Sequence, residues 1–283
     1  MEHGDRRIVQ LAAHTFGFWQ DSAETAFEAL GLGGFRHIQL MAAPPHFDPW
    51  RDDQARTARL SALIERHRLR LLAADLASSD INLASASADV VAFSVDAYGR
   101  LAARSAELGA ASICVGSGRR HALLAKANDR LMESFRHAFR AIVREARICG
   151  LTVVLENHPQ GLLADAKAIR RFLEDENLGD VGVIYDVANA VAIGENPTEG
   201  LALLAPHLSV VHLSDSPIGQ WRHDPIGAGA IDFHAIGATL RRQGFGGPVA
   251  LEILSKTPLA DLLDGVRRLV AAGWVFEDPL PTI

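Results

Sequence analysis

The chain has 283 residues, of which 48% are hydrophobic and 22% are charged, and its formal net charge is −6. This composition can fill a complete core, and α/β barrels of about 250 residues commonly form one domain, so we predict a single domain spanning residues 1–283. The acidic balance and the lack of a long Lys/Arg block argue against a nucleic-acid partner. Two cysteines exclude a disulfide framework. No apolar run approaches the ~18 residues of a membrane span, and the N-terminus lacks a long apolar signal segment, so we expect a cytoplasmic protein with no membrane partner.

Eight short apolar runs alternate with longer amphipathic stretches along the chain. The predicted strands are residues 8–13, 35–41, 69–75, 111–115, 151–156, 181–186, 208–213 and 249–253. The predicted helices are residues 22–30, 53–67, 93–108, 128–149, 165–176, 197–205, 233–243 and 258–272. Near-continuous apolar strands, each followed by a helix, are typical of a parallel sheet that is covered on its outer face.

A doubly wound open sheet would satisfy the same alternation, but two features favour a closed barrel. No GxGxxG or Walker loop follows the first strand, and the polar residues at strand ends are concentrated on the last four strands. We therefore predict an α/β fold, a single (β/α)₈ TIM barrel. The Ser- and Ala-rich segment 76–93 is predicted to be a loop over the mouth of the barrel.

Four polar side chains stand at the ends of β-branched runs: Glu156, Asp186, His212 and Glu252, separated by 30, 26 and 40 residues. In a closed parallel barrel these ends meet at one mouth, where such enzymes keep their chemistry. Three oxygen donors and one imidazole suit Mn²⁺, Mg²⁺ or a similarly hard cation, whereas structural zinc favours thiolates. The competing interpretations are salt bridges for the glutamates, a turn cap for Asp186 and a core histidine for His212.

Five segments in order resemble one known family: LENHP, IYDVAN, VHLSDS, HDPIGAGAIDF and GPVALEI, which begin at residues 155, 184, 211, 223 and 247. They look like the xylose isomerase-like TIM-barrel superfamily, the sugar phosphate isomerase/epimerase group. The resemblance implies one divalent metal ion on Glu156, Asp186, His212 and Glu252. It favours Mn²⁺, with Mg²⁺, Co²⁺ or Zn²⁺ as alternatives. It also implies that Glu156 and Glu252 are the catalytic acid/base pair and that the substrate is a small sugar-like molecule.

The preferred reaction is isomerisation or epimerisation of a polyhydroxy carbonyl compound, by proton transfer through a metal-stabilised enediolate. The first alternative is a metal-dependent lyase, because His158 lies two residues beyond Glu156 in an E-x-H element that resembles the 3-dehydroshikimate dehydratase branch. His158 is therefore a further candidate catalytic base. The second alternative is a non-catalytic sugar-binding barrel.

Candidate substrate contacts lie outside the predicted metal ligands. Arg222 and His223 belong to a Gly-rich loop and can reach hydroxyls or an anionic group. His14 follows the first strand, where a hydroxyl contact and apolar packing are equally good interpretations. Asn189 is also a candidate, and it stands where the ketose 3-epimerases tend to carry a histidine, which weakens the analogy with D-tagatose or D-psicose specificity. Asp215 is expected to orient a ligand or to cap its loop, and a homo-oligomer is left open.

Overall fold

The structure is a computed structural model that describes residues 9–51, 53–77, 81–120, 129–277 and 279–281. Its strands are β1 Gln10–His14, β2 His37–Ala42, β3 Arg70–Leu76, β4 Ser112–Gly116, β5 Thr152–Glu156, β6 Gly182–Asp186, β7 Leu208–Leu213 and β8 Pro248–Leu251. Its helices are α1 Ala23–Leu32, α2 Gln54–His67, α3 Ala88–Glu107, α4 Asp129–Ile148, α5 Ala166–Asp175, α6 Val187–Ala192, α7 Pro197–Leu204, α8 Phe233–Gln243 and α9 Pro258–Ala271. A short 3-10 helix, Thr15–Phe18, follows β1.

The eight strands form a closed parallel barrel in sequence order, with β8 paired to β1. The predicted single (β/α)₈ barrel is thus confirmed. Among the described residues, no helix is both long enough and apolar enough to cross a membrane. The barrel brings the carboxyl ends of all eight strands to one rim.

The barrel interior explains why the polar strand ends converge. An inner cluster fills the barrel with one small or branched side chain from each of six strands: Ala12, Cys114, Val154, Ile184, Val210 and Ala250. Side chains alternate along a strand, so the residue two positions further on faces the same side. That rule places Glu156, Asp186, His212 and Glu252 directly above Val154, Ile184, Val210 and Ala250. The larger core lies between the outer faces of the strands and the surrounding helices.

The structure differs from the sequence-based prediction at several element ends. Helix α3 begins at Ala88 and not at Phe93, so the predicted loop 76–93 is wrong over residues 88–93. The Ser- and Ala-rich composition of this segment concealed the start of the helix. The 3-10 helix and α6 were not predicted, since each is too short to show a helical period. Residues 8 and 128, and residues 78–80 of the predicted loop, lie outside the described residues.

Close packing of α7 against β6 depends on Gly200. A Cβ atom at this position would lie 2.1 Å from the Tyr185 hydroxyl oxygen. The Tyr185 ring is buried, and its hydroxyl group donates a hydrogen bond to Glu195 Oε2. We expect Gly200→Ala to destabilise the protein by about 1–3 kcal/mol, because the rigid ring cannot move aside without breaking its packing. Urea unfolding would measure this.

The matched control is Gly99→Ala in α3, where an added Cβ meets no atom within 4 Å. This change should be neutral or stabilising by up to about 1 kcal/mol, since alanine is the better helix former. Equal stability of the two variants would contradict the packing argument.

Candidate metal centre and active site

The four predicted ligands come together at the rim of the barrel. One ligand atom each from Glu156, Asp186, His212 and Glu252 lies within 4.8 Å of all the others. The Nδ1 atom of His212 is central: it is 3.2 Å from Glu156 Oε1, 3.1 Å from Glu252 Oε2 and 3.8 Å from Asp186 Oδ2. Opposite ligands on a cation with bonds of about 2.1 Å are separated by about 4.2 Å, so this spread is close to that of a coordination sphere.

Asp186 supplies the observation that best tests whether a cation fits. Its Oδ1 atom accepts a hydrogen bond from the backbone N–H of Asn189 and so caps α6. Its Oδ2 atom is buried and has no hydrogen-bond partner. Burial, with the Glu252 and Glu156 carboxylates, raises the pKa of Asp186 to about 7, although His223 and His212 act in the opposite sense. A buried oxygen without a partner is costly, and a divalent cation would satisfy it. The cap and the ligand roles of Asp186 are compatible, because each uses a different oxygen.

The charges of His212 and Glu252 point to the same ligand class. Burial lowers the pKa of His212, but the Glu252 and Glu156 carboxylates outweigh it and raise that pKa well above its ordinary value. Burial raises the pKa of Glu252, and the imidazoles of His223, His212 and His14 outweigh it and hold the pKa well below the usual range. The cluster therefore attracts positive charge at its centre, and the donor set of three carboxylates and one imidazole fits a divalent cation.

A chain of buried side chains fixes the orientation of the His212 ring. The Nε2 atom of His212 donates to Gln39 Oε1 at 2.9 Å, since a carbonyl oxygen can only accept. Gln39 Nε2 then donates to Asp75 Oδ1, which also accepts from His14 Nε2. Because Nε2 of His212 donates to Gln39, Nδ1 is the atom that would release its proton and bind a cation, and partners of this kind hold a ligand in the correct tautomer.

Gln39 and Asp75 were not among the site residues predicted from the sequence. Each is a polar residue within an otherwise apolar run, in β2 and β3, and each is buried. That pattern was a usable signal, because a buried polar side chain in a strand needs a partner. The pattern did not identify the partners: Gln39 bonds to His212 across the barrel, and Asp75 bonds to Gln39 and His14.

We expect Gln39→Met to lower the affinity for Mn²⁺ by about 10–100-fold, because His212 loses the acceptor that holds its ring. Isothermal titration of the purified protein with Mn²⁺ would measure this. Gln54→Met is the matched control, since Gln54 is exposed at the start of α2. An unchanged affinity in Gln39→Met would show that the ring is held without this bond.

Asn157 explains part of the LENHP and IYDVAN motifs. Its side chain donates to the Asp186 carbonyl at 3.0 Å and accepts from the Asp186 amide at 2.7 Å, so it joins the ends of β5 and β6. The side chain of Asn189 donates a hydrogen bond from Nδ2 to the backbone carbonyl of Asn157, and its Oδ1 atom accepts one from the Trp221 indole. These bonds hold Glu156 and Asp186 in register beside each other.

A cavity of about 1140 Å³ opens over the cluster, and its lining includes Glu156, Glu252, His158, Asn189 and His223. These are the sequence-predicted residues that the fold brings together at the cavity. His223 Nδ1 lies 3.4 Å from Glu252 Oε2 and bonds to Ser214 Oγ, which places its ring beside the metal centre.

The structure does not bring Arg222 and His14 to the cavity lining. Arg222 pairs with Asp224 and its side chain is 53% exposed, so this charge is directed to a neighbour on its own loop. His14 is buried and donates to Asp75, while its Nδ1 atom accepts from the Phe16 amide. Burial lowers the pKa of His14, and the Asp75 and Glu252 carboxylates outweigh it, so the pKa is raised.

His158 lines the cavity with one ring nitrogen already engaged. Its Nδ1 atom accepts a hydrogen bond from the backbone N–H of Gln160 at 3.2 Å, so the proton of the neutral ring is on Nε2. Burial lowers the pKa of His158, which favours this neutral form. The ring packs edge-on against Trp221, with centroids 4.8 Å apart. In this arrangement His158 is a hydrogen-bond donor.

Asp215 orders the loop that carries His223. Its Oδ1 atom accepts from the Ser216 and Ile231 amides, and its Oδ2 atom accepts from the Gly227 amide. Of the two roles considered for Asp215, the structure shows the loop cap. A Cβ atom at Gly229 would lie 2.4 Å from Asp215 Oδ1, so this glycine permits the close approach.

The sequence profile of the family described as xylose isomerase-like TIM barrel matches residues 27–272. The chain belongs to this family. The match covers the strands that carry all four clustered ligands, and it confirms the resemblance seen in the five sequence segments.

Solved structures of several epimerases share the family's barrel with this chain. A D-tagatose 3-epimerase-like protein has a TM-score of 0.81 at 19% identity, over 93% of this chain and 97% of that one. The 3-keto-D-glucoside 4-epimerase YcjR from E. coli has a TM-score of 0.76 at 19% identity, over 93% and 99% of the two chains. At these identities the likeness establishes the fold.

Curated relatives are more similar in sequence but over a shorter span. The L-ribulose-5-phosphate 3-epimerase UlaE of Salmonella paratyphi C is 27% identical over 157 residues, which are 53% of this chain and 55% of the relative. The Escherichia coli K12 protein of the same name is 26% identical over the same shares. The chain thus spans about half the length of the curated relatives it matches.

Proposed function

We propose that this protein is a divalent-metal-dependent epimerase or isomerase of a small polyhydroxy carbonyl compound. The observation that carries the proposal is the cluster of three carboxylates and one imidazole around a common point, at the base of a cavity large enough for a sugar. Its membership of the family and the sugar epimerases among its relatives support the reaction class. Mn²⁺ is the proposed cation, by the hardness of the donor set.

Glu156, Asp186, His212 and Glu252 would hold the cation, which when bound supplies Lewis-acid polarisation of the substrate carbonyl. Glu252 lines the same cavity, and we propose that its carboxylate accepts a proton from the carbon beside the carbonyl. Glu156 lines the same cavity and is proposed to return a proton to the resulting enediolate. Return at the opposite face would give an epimer.

The geometry of His158 favours epimerisation over the lyase alternative. A dehydratase of the kind considered above uses this histidine to remove a proton, which requires a free nitrogen lone pair. Nδ1 of His158 is already an acceptor for the Gln160 amide, and Nε2 carries the proton. We propose that His158 donates a hydrogen bond from Nε2 to a substrate hydroxyl, and that His223 and Asn189 contact other hydroxyls.

The test is exchange of solvent deuterium into a panel of ketopentoses and ketohexoses, with and without a terminal phosphate, in the presence of Mn²⁺. Deuterium at the carbon beside the carbonyl, together with the epimer detected by NMR, is the expected result. A new ultraviolet absorbance from an unsaturated product would identify a lyase. Exchange into none of the panel would favour a binding protein.

A further inference from the structure

The cavity is much larger than one ketose requires. Its volume of about 1140 Å³ exceeds the roughly 300–1000 Å³ of clefts that bury drug-sized ligands. A single monosaccharide bound at the metal ligands would occupy only a minor part of this space. If the proposed function holds, the remaining space is available to another part of the substrate.

Aromatic side chains are concentrated in this space. In the part of the chain that the structure describes, four Phe, Tyr or Trp residues are at least 36% exposed, and all four line this one cavity. They are Trp19, Trp50, Phe93 and Trp221, with exposed fractions of 43%, 36%, 52% and 43%. Single exposed apolar residues are common on protein surfaces, but a group of exposed rings in one concavity marks a binding site.

Trp50 and Phe93 form a pair on the side of the mouth away from the metal ligands. Their ring planes are 6° from parallel and their centroids are 6.3 Å apart. Trp50 follows β2, and Phe93 is in the N-terminal part of α3, which follows β3. In the closed barrel, β2 and β3 stand across from β6 and β7, which carry Asp186 and His212. A substrate held at the metal centre would extend its far end toward this pair.

The surroundings of the pair suit an uncharged ring more than a phosphate. The apolar side chains of Met41, Leu76, Ile81 and Leu83 line the cavity on the β2 and β3 side. Outside the metal centre, the described lining residues carry two carboxylates, Asp48 and Asp75, and two arginines, Arg51 and Arg119, so no net positive charge favours a phosphate there. Aromatic faces bind planar or apolar ring faces at centroid distances of about 4.5–7 Å.

We propose that the substrate is a keto sugar that carries a second ring at the end far from its carbonyl, and that Trp50 and Phe93 bind this second ring. The inference rests on the proposed function, because it assigns the reacting carbonyl to the metal centre. The second ring is either another sugar or an aromatic group, since both present an apolar face to an indole.

The test uses the ketose that exchanges deuterium fastest in the panel described above, together with its benzyl ether and its glucosyl derivative at the terminal hydroxyl. With Mn²⁺ present, we expect at least one derivative to have a KM lower by about tenfold or more, because the added ring is buried against the aromatic pair. The benzyl and glucosyl arms distinguish an aromatic group from a second sugar. In Trp50→Ala and Phe93→Ala, the ratio of kcat/KM for the derivative to that for the parent ketose should fall toward one.

Val90→Ala is the matched control, because Val90 is 40% exposed on the same helix as Phe93 and is not part of the cavity lining. It should keep the ratio of the unaltered protein. If no ketose exchanges deuterium, the proposed function itself fails. If the parent ketose reacts but neither derivative is preferred, or if Phe93→Ala and Trp50→Ala keep the preference, only the second-ring inference is overturned. Dissociation of a dimer in those variants with no change in substrate preference would assign the rings to a subunit contact.

Discussion

Glu252→Gln should reduce the rate of epimerisation and of deuterium exchange by about 10³-fold or more. The amide cannot accept a proton from carbon, and a positioned acid or base contributes about 10²–10⁴-fold by itself. The amide oxygen can still act as a neutral donor, so part of the bound Mn²⁺ should remain. Steady-state kinetics by NMR, with metal content by mass spectrometry, would measure both effects.

The control for Glu252→Gln is Glu174→Gln. Glu174 forms a surface ion pair with Arg170 in α5, far from the rim of the barrel. Ion pairs of this kind contribute little to the stability of the fold. This variant should keep full activity and full metal content. An unimpaired Glu252→Gln enzyme would end the assignment of Glu252 as a proton acceptor.

Asp186→Asn should remove most of the stabilisation that Mn²⁺ confers. Oδ1 of the amide can still cap α6, so the fold is retained, but the partnerless carboxylate oxygen is replaced by an NH₂ group that cannot bind a cation. At a concentration 100 times Kd, a ligand stabilises the folded state by about 2.7 kcal/mol. For a chain of this size that corresponds to a rise in Tm of roughly 5 °C.

Thermal unfolding with and without Mn²⁺ is the measurement, and Asp175→Asn is the control. Asp175 pairs with Arg171 on the surface of α5, so its variant should respond to Mn²⁺ as the unaltered protein does. If Asp186→Asn gained as much in Tm from Mn²⁺ as the unaltered protein, the cation would not bind at this cluster.

Most of the barrel could be predicted from the sequence because its signals are local. An apolar run of strand length followed by an amphipathic helix repeats eight times, and each repeat is recognised without knowledge of the others. The errors fall where local signals are weak: α6 has six residues, and the first turn of α3 begins after Ser87, which makes no side-chain cap. By contrast, α5 and α8 begin directly after Asp165 and Asp232, whose side chains accept hydrogen bonds from the backbone amides of Ala168 and Ala235.

The sequence by itself determined the (β/α)₈ fold and the four side chains that cluster at its rim, because strand alternation decides which residues face the barrel interior. Only the tertiary structure decided how those side chains are held and what surrounds them. The bond from His212 to Gln39, the engagement of Nδ1 of His158 and the pairing of Arg222 with Asp224 depend on which partner lies within hydrogen-bond distance. The Trp50 and Phe93 pair was likewise unpredicted, since loop side chains take their directions from contacts between distant segments.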